Sequence, residues 1–214
     1  MRIFAASFGL LVVALVVTAS LTRDSLAESC PDDPPPAPAA HVVSVTAGGT
    51  GCPDASAEAV VDGNTLKVNL NRTFSAEAGP GRSLSASRKN CQVNIQLDVP
   101  AGMTYAIKSI ETSGNANLAA GAKGYVQTTT YFTGTQPQVT AKREFVGPLD
   151  QDFAITETIP DAALVFAPCD TTRAININSQ VKVDKGTSTE VNSLTVDGST
   201  FGQAYQLVWA HCPQ

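Results

Sequence analysis

Between Cys91 and Val99 the chain alternates with a period of two. Cys91, Val93, Ile95, Leu97 and Val99 are apolar, and Gln92, Asn94, Gln96 and Asp98 between them are polar. An extended backbone points successive side chains to opposite faces, so this pattern gives a strand with one face buried and the other in water. A helix, repeating every ~3.6 residues, would scatter the same apolar set around its circumference. The pattern recurs at Leu66, Val68 and Leu70 around Lys67 and Asn69. It recurs again at Ile175, Ile177, Val181 and Val183 against Asn176, Asn178, Lys182 and Asp184.

Weaker strand patterns cover Val42–Val45, Ala59–Val61, Met103–Ile110, Tyr125–Phe132, Val139–Val146, Phe153–Ile159, Leu164–Phe166, Val191–Val196 and Gln206–Trp209. Turn residues separate them, among them Asp62-Gly63-Asn64, Pro100-Ala101-Gly102, Thr133-Gly134, Gly147-Pro148, Lys185-Gly186 and Asp197-Gly198. No stretch carries a helical stripe; the alanines of Leu118–Lys123 are broken by Gly114, Gly121 and Gly124. Short strands at regular spacing predict an all-β fold, an antiparallel β-sandwich of about ten to twelve strands. No repeat of propeller or solenoid length is present.

The first residues set the compartment. Arg2 precedes an apolar run from Ile3 to Val17, and Ser25-Leu26-Ala27 has the small residues a signal peptidase reads. Residues 1–27 are therefore expected to be a signal peptide, with Ala19 as the second cleavage position. The run is shorter than the ~20 apolar residues of a spanning helix and ends at Arg23-Asp24, so no membrane span is expected in the mature chain. Residues 28–40 hold five prolines in thirteen positions and read as a disordered spacer. Residues 41–214 are expected to form a single β-sandwich domain.

The full chain carries 14 basic and 19 acidic residues, a net charge of −5. Removing Arg2, Arg23 and Asp24 with the signal leaves 12 and 18, a net of −6. That balance excludes nucleic acid and anionic lipid as partners, since both need clustered Lys and Arg. The partner left is an unknown extracellular or cell-wall component.

Of the five cysteines, Cys52, Cys91, Cys169 and Cys212 fall in the domain and Cys30 in the spacer. Their nearest spacing is 22 residues, unlike the close pairs of a zinc site, so export makes disulfides the reading. Four cysteines allow three connectivities. The shorter loops favour Cys52–Cys91 with Cys169–Cys212, although loop length alone changes closure entropy by only ~0.6 kcal/mol per doubling. Cys30 is the odd one.

A wider order of motifs follows. Gly48-Gly49-Thr50-Gly51-Cys52-Pro53 opens the domain, then come Gly79-Pro80-Gly81, Arg88-Lys89-Asn90-Cys91-Gln92, Val99-Pro100-Ala101-Gly102 and Tyr131-Phe132-Thr133-Gly134. Pro168-Cys169 and Trp209-Ala210-His211-Cys212 close it. This order resembles the secreted domain-of-unknown-function family 4360 over about residues 48 to 212. The resemblance implies secretion and four domain cysteines, and it supplies no catalytic residues. The chain departs from the family pattern at Phe166-Ala167 and at Glu111-Thr112-Ser113-Gly114.

Catalytic signatures are absent. His41 and His211 have no adjacent nucleophile or acid motif, Gly198-Ser199-Thr200-Phe201-Gly202 has threonine where a serine elbow needs serine, and zincin spacing is missing. Asp150 and Asp152, with Glu157 nearby, are the acids able to offer hard oxygens, which makes calcium the one cofactor to weigh against none. Arg88, Lys89 and Asn90 read as a polar loop tethered by Cys91, a second binding candidate. Trp209 reads as core beside a disulfide, whereas Tyr105, Tyr125, Tyr131 and Tyr205 are candidate surface contacts. Asn71-Arg72-Thr73 is a glycosylation acceptor in a eukaryotic secretory route. The sequence thus points to a secreted, non-enzymatic binding or structural module. The alternative is a carbohydrate-binding protein, calcium-assisted, or a weakly marked carbohydrate-active hydrolase.

Overall fold

The structure, a computed structural model, describes residues 39–52, 57–70, 74–196 and 202–213. All fall within one compact unit, Pro35–Gln214. The signal segment, Cys30 and the Asn71 triplet lie outside the described residues.

Twelve strands follow in order: β1 (His41–Gly48), β2 (Glu58–Asp62), β3 (Thr65–Asn69), β4 (Ser75–Ala78), β5 (Arg88–Asp98), β6 (Met103–Leu118), β7 (Lys123–Phe132), β8 (Gln138–Val146), β9 (Leu149–Thr158), β10 (Ile175–Asp184), β11 (Asn192–Val196) and β12 (Gln203–His211). Sheet A runs β1-β5-β10-β7-β8. Sheet B runs β2-β3-β12-β6-β11-β4, with β9 on the other edge of β6. Every pairing is antiparallel. The expected disulfide-braced β-sandwich is what the chain forms.

Alternation builds the core. Val93, Ile95 and Leu97 of β5 and Ile175, Ile177, Val181 and Val183 of β10 are fully buried on the inner face of sheet A. Leu66, Val68, Ile110, Leu194 and Leu207 do the same for sheet B. Each such side chain withdrawn from water contributes about 1.5–3 kcal/mol before its entropy cost.

Strand β6 runs 16 residues, past the expected end at Ile110. Its second half, Glu111–Leu118, is made of residues with poor strand preference and is held by its neighbours instead. Gly114 lies opposite Phe153 of β9. A Cβ there would stand 2.0 Å from the Thr195 carbonyl oxygen and 2.7 Å from the Phe153 ring, so only glycine lets that ring cover the strand. Conversely, Leu164–Phe166, expected as a strand, makes only a single bridge from Phe166 to Ala106. Its backbone is turned by the short 3-10 turn at Asp161–Ala163 after Pro160.

Where sheet A passes to sheet B at Gly147-Pro148, two contacts close the side of the sandwich. Arg143 of β8 meets Glu157 of β9 at 2.8 Å, and the rings of Phe145 and Phe153 stand 4.7 Å apart. Cystines brace two further points. Cys52–Cys91 ties the stretch after β1 to β5, and Cys169–Cys212 ties the loop before β10 to the end of β12. Their sequence separations of 39 and 43 correspond to about 4 kcal/mol each in the loop-entropy account.

One polar cluster sits between the sheets. Gln203 of β12 is 1% exposed. Its carbonyl oxygen accepts from Ser179 at 2.7 Å and from Tyr205 at 2.8 Å, while its amide donates to Thr128 at 2.8 Å and Thr112 at 3.4 Å. The group carries no charge and has its hydrogen bonds filled, so it fixes how the sheets are offset without a desolvated ion. Gln203→Leu should lower stability by about 3 kcal/mol in urea unfolding, because the hydroxyls of Ser179, Tyr205 and Thr128 lose partners together. Burial also raises the Tyr105 and Tyr205 phenols well above the usual range. A folded pKa above the unfolded one stabilises the protein below pH ~10 and is lost as pH rises beyond it. Phenolate absorbance from these two residues should therefore appear together with alkaline unfolding, not before it.

Candidate functional site

Because sheet A sends its apolar residues inward, its other residues form one outer face whose composition follows from strand register. Thr46, Asn94, Asn176, Tyr131 and Gln138 align in one row across five strands. The next row is Gly48, Gln92, Asn178, Thr129 and Thr140; then come Asn90, Gln180, Gln127 and Lys142. With strands ~4.8 Å apart and rows ~6.8 Å apart, this gives a platform of about 19 Å by 14 Å. Apart from Lys142 at the β8 edge, these three rows are uncharged. The outer face of sheet B differs, carrying Glu58, Asp62, Glu77, Glu111, Asp150 and Asp152 on its strands.

Hydrogen bonds hold much of the platform in place. Asn176 is 5% exposed although it belongs to this face. Its carbonyl oxygen accepts from Asn94 at 3.0 Å and Gln92 at 3.5 Å, and its amide donates to Thr133 at 2.8 Å. The Tyr125 hydroxyl donates to Gln180 at 2.9 Å, and the Lys142 ammonium lies 4.5 Å above the Tyr125 ring. Thr129 and Thr140 bond each other at 2.9 Å. In the middle, the side chains of Asn178 and Gln127 make no hydrogen bond among the described residues, so their amides present open donors and acceptors.

The structure distributes the residues singled out in the sequence. Arg88, Lys89 and Asn90 are the first residues of β5 and not a loop. Arg88 and Asn90 lie at one end of the amide platform, whereas Lys89 shares the side of Cys91. The Asn90 carbonyl and side chain bond Gly51 N–H and the Thr50 hydroxyl, which secures the first cystine. Asp150 and Asp152 face outward on sheet B, far from that set in the fold. Each accepts from a cross-strand asparagine, Asn117 at 3.3 Å and Asn115 at 3.0 Å. Glu157 is engaged by Arg143. Among the described residues no three His, Cys, Asp or Glu side chains gather closely enough to hold a metal ion.

Of the tyrosines, Tyr131 lies on the platform, Tyr125 lies in the adjoining row between Lys182 and Glu144, and Tyr105 and Tyr205 are buried. Trp209 is half-buried, packed on Tyr105 at 5.6 Å, with its indole N–H donating to Asn64 at 2.8 Å. His41 pairs with Asp98 at 3.5 Å on the surface. Sequence reasoning missed the platform itself, although Gln92, Asn94 and Gln96 were visible as the wet half of one strand.

The chain matches the family profile described as "Domain of unknown function (DUF4360)" over residues 38–212. An "Uncharacterized secreted protein" of Arthroderma benhamiae is 35% identical over 178 residues, which is 80% of this chain and 71% of that relative. The name of that relative agrees with the secretion read from the first residues. No helix among the described residues is long and apolar enough to cross a membrane.

The platform separates structural from free amides. Asn176→Ala should cost about 1–2 kcal/mol in chemical unfolding, since Asn94, Gln92 and Thr133 lose a shared partner. Gln127→Ala and Asn178→Ala should each stay within about 0.5 kcal/mol of the parent.

Proposed function

We propose that this chain, which belongs to the DUF4360 family, is a secreted, non-enzymatic binding module that docks neutral, hydroxyl-rich polymers on the outer face of sheet A. The carrying observation is the amide-rich platform, with Lys142 as the one charged residue of its three rows, Tyr131 within the first row and Tyr125 in the row beyond, between Lys182 and Glu144. A carboxamide offers donors and an acceptor side by side, and a sugar hydroxyl needs both. Tyrosine rings offer flat apolar surface to the C–H faces of a sugar while keeping a polar edge. Rows that carry a single charge, on a protein of net −5, favour a neutral polysaccharide over an anionic one. Hydrogen bonds already in place reduce the ordering cost of binding.

This reading sets the carbohydrate-binding alternative above a purely structural role, with a wall or matrix glycan as the partner. It does not use Asp150 and Asp152, so calcium has no part in it. The export signal at residues 1–27 and the proline-rich stretch at 28–40 fit a module delivered outside the cell and held at the end of a spacer.

In pull-down with insoluble neutral glycans, the parent protein should be retained. The triple variant Gln127→Ala, Asn178→Ala, Tyr131→Ala should lose at least tenfold in affinity while keeping its melting temperature. Chelation of calcium and the pair Asp150→Asn, Asp152→Asn should leave binding unchanged. Retention of the triple variant at parental affinity would refute the assignment of this face.

A further inference from the structure

At one end of the sandwich a cavity of about 260 Å³ opens between the β5–β6 turn and the loop that precedes β10. Its apolar wall is formed by Leu97, Val99, Met103 and Pro168, and its polar side by Tyr105 and Arg173. The lips are tied together. Cys212 N–H donates to the Gly102 carbonyl at 2.8 Å, the Thr104 hydroxyl to the Ala167 carbonyl at 2.7 Å, and Ala167 N–H to the Tyr105 carbonyl at 2.9 Å. The Cys169–Cys212 cystine lines the same space. This is a built, rigid recess and not a gap between mobile loops.

Two buried side-chain atoms among the described residues have no hydrogen-bond partner: the Tyr105 hydroxyl and Arg173 Nε. Both residues line this one cavity. Buried tyrosine hydroxyls ordinarily find partners, and an unpartnered buried donor costs free energy. Tyr105 is 2% exposed and its ring is fixed between Phe132 and Trp209, so the hydroxyl has no freedom to seek water elsewhere. Arg173 is anchored too. Its Nη1 donates to the Thr133 carbonyl at 3.1 Å, and a Cβ on Gly134 would stand 2.6 Å from that nitrogen, so the glycine makes room for it. Arg173 makes no ion pair among the described residues.

A guanidinium with no ion pair among the described residues, set beside an unused O–H donor and an apolar wall, favours a carboxylate with an apolar body. We infer that this cavity binds a small organic monocarboxylate, its oxygens accepting from Tyr105 and Arg173 and its apolar body resting on Val99, Met103 and Pro168. The volume of about 260 Å³ lies just below the ~300–1,000 Å³ of pockets for drug-sized ligands, which suits a ligand of about ten heavy atoms. With Asp170 exposed at the rim, the recess holds one positive and one negative residue, so a dianion such as phosphate or a dicarboxylate meets no net positive charge there. The site is separate from the platform on sheet A and does not depend on it.

The test is calorimetric titration of the secreted protein with benzoate, using benzamide and inorganic phosphate as matched controls. Benzoate should bind at least tenfold more tightly than either control. Arg173→Gln and Tyr105→Phe should each weaken benzoate at least tenfold, and Tyr105→Phe should keep or raise the melting temperature because it removes an unpaired hydroxyl. Glycan pull-down should be unaffected by both variants, which separates failure here from failure of the platform. Equal affinity for benzamide, full benzoate affinity in both variants, or no benzoate binding at millimolar concentration would overturn the inference.

Discussion

Everything in this protein depends on apolar side chains at alternate positions being driven between two sheets. Once Val93, Ile95 and Leu97 go inward, Gln92, Asn94 and Gln96 have no choice but to face out. The same constraint acts on β10 and β7, so the hydrophobic effect that builds the core also assembles the amide platform. The platform costs the fold little, because its central amides Asn178 and Gln127 are not used to hold the strands together.

Rigidity at the two candidate sites has different sources. On the platform it comes from cross-strand hydrogen bonds centred on Asn176 and from the sheet beneath. At the end cavity it comes from the Cys169–Cys212 link and the paired lips. Between them, the neutral Gln203 cluster fixes the offset of the sheets. A buried amide with its bonds filled can specify register without the desolvation penalty of an ion pair.

Much of the fold is legible in the residues and much of the site is not, for one physical reason. Alternation is local, so strands such as Cys91–Val99 and Ile175–Val183 announce themselves. Strand partners are not local: Asn94 meets Asn176, and Asn176 meets Tyr131, only because β10 lies between β5 and β7. No sequence window contains that row. Likewise Tyr105 of β6 and Arg173 of the loop before β10 line one cavity although they are far apart in the chain. The second half of β6 escaped the pattern because Gly114, Asn115 and Asn117 have low strand preference, and tertiary pairing with β9 and β11 overrides it. Leu164–Phe166 failed in the opposite sense, since strand-forming residues there find only one bridge to β6.

The most direct measurement is a nuclear magnetic resonance titration of the isotope-labelled protein with a soluble neutral oligosaccharide, following side-chain amide signals. The account predicts saturable shifts in the amides of Gln92, Asn178, Gln127 and Gln180, with those of Asn115 and Asn117 on sheet B unmoved. Shifts confined to sheet B, or none anywhere with neutral glycans of several linkage types, would contradict it.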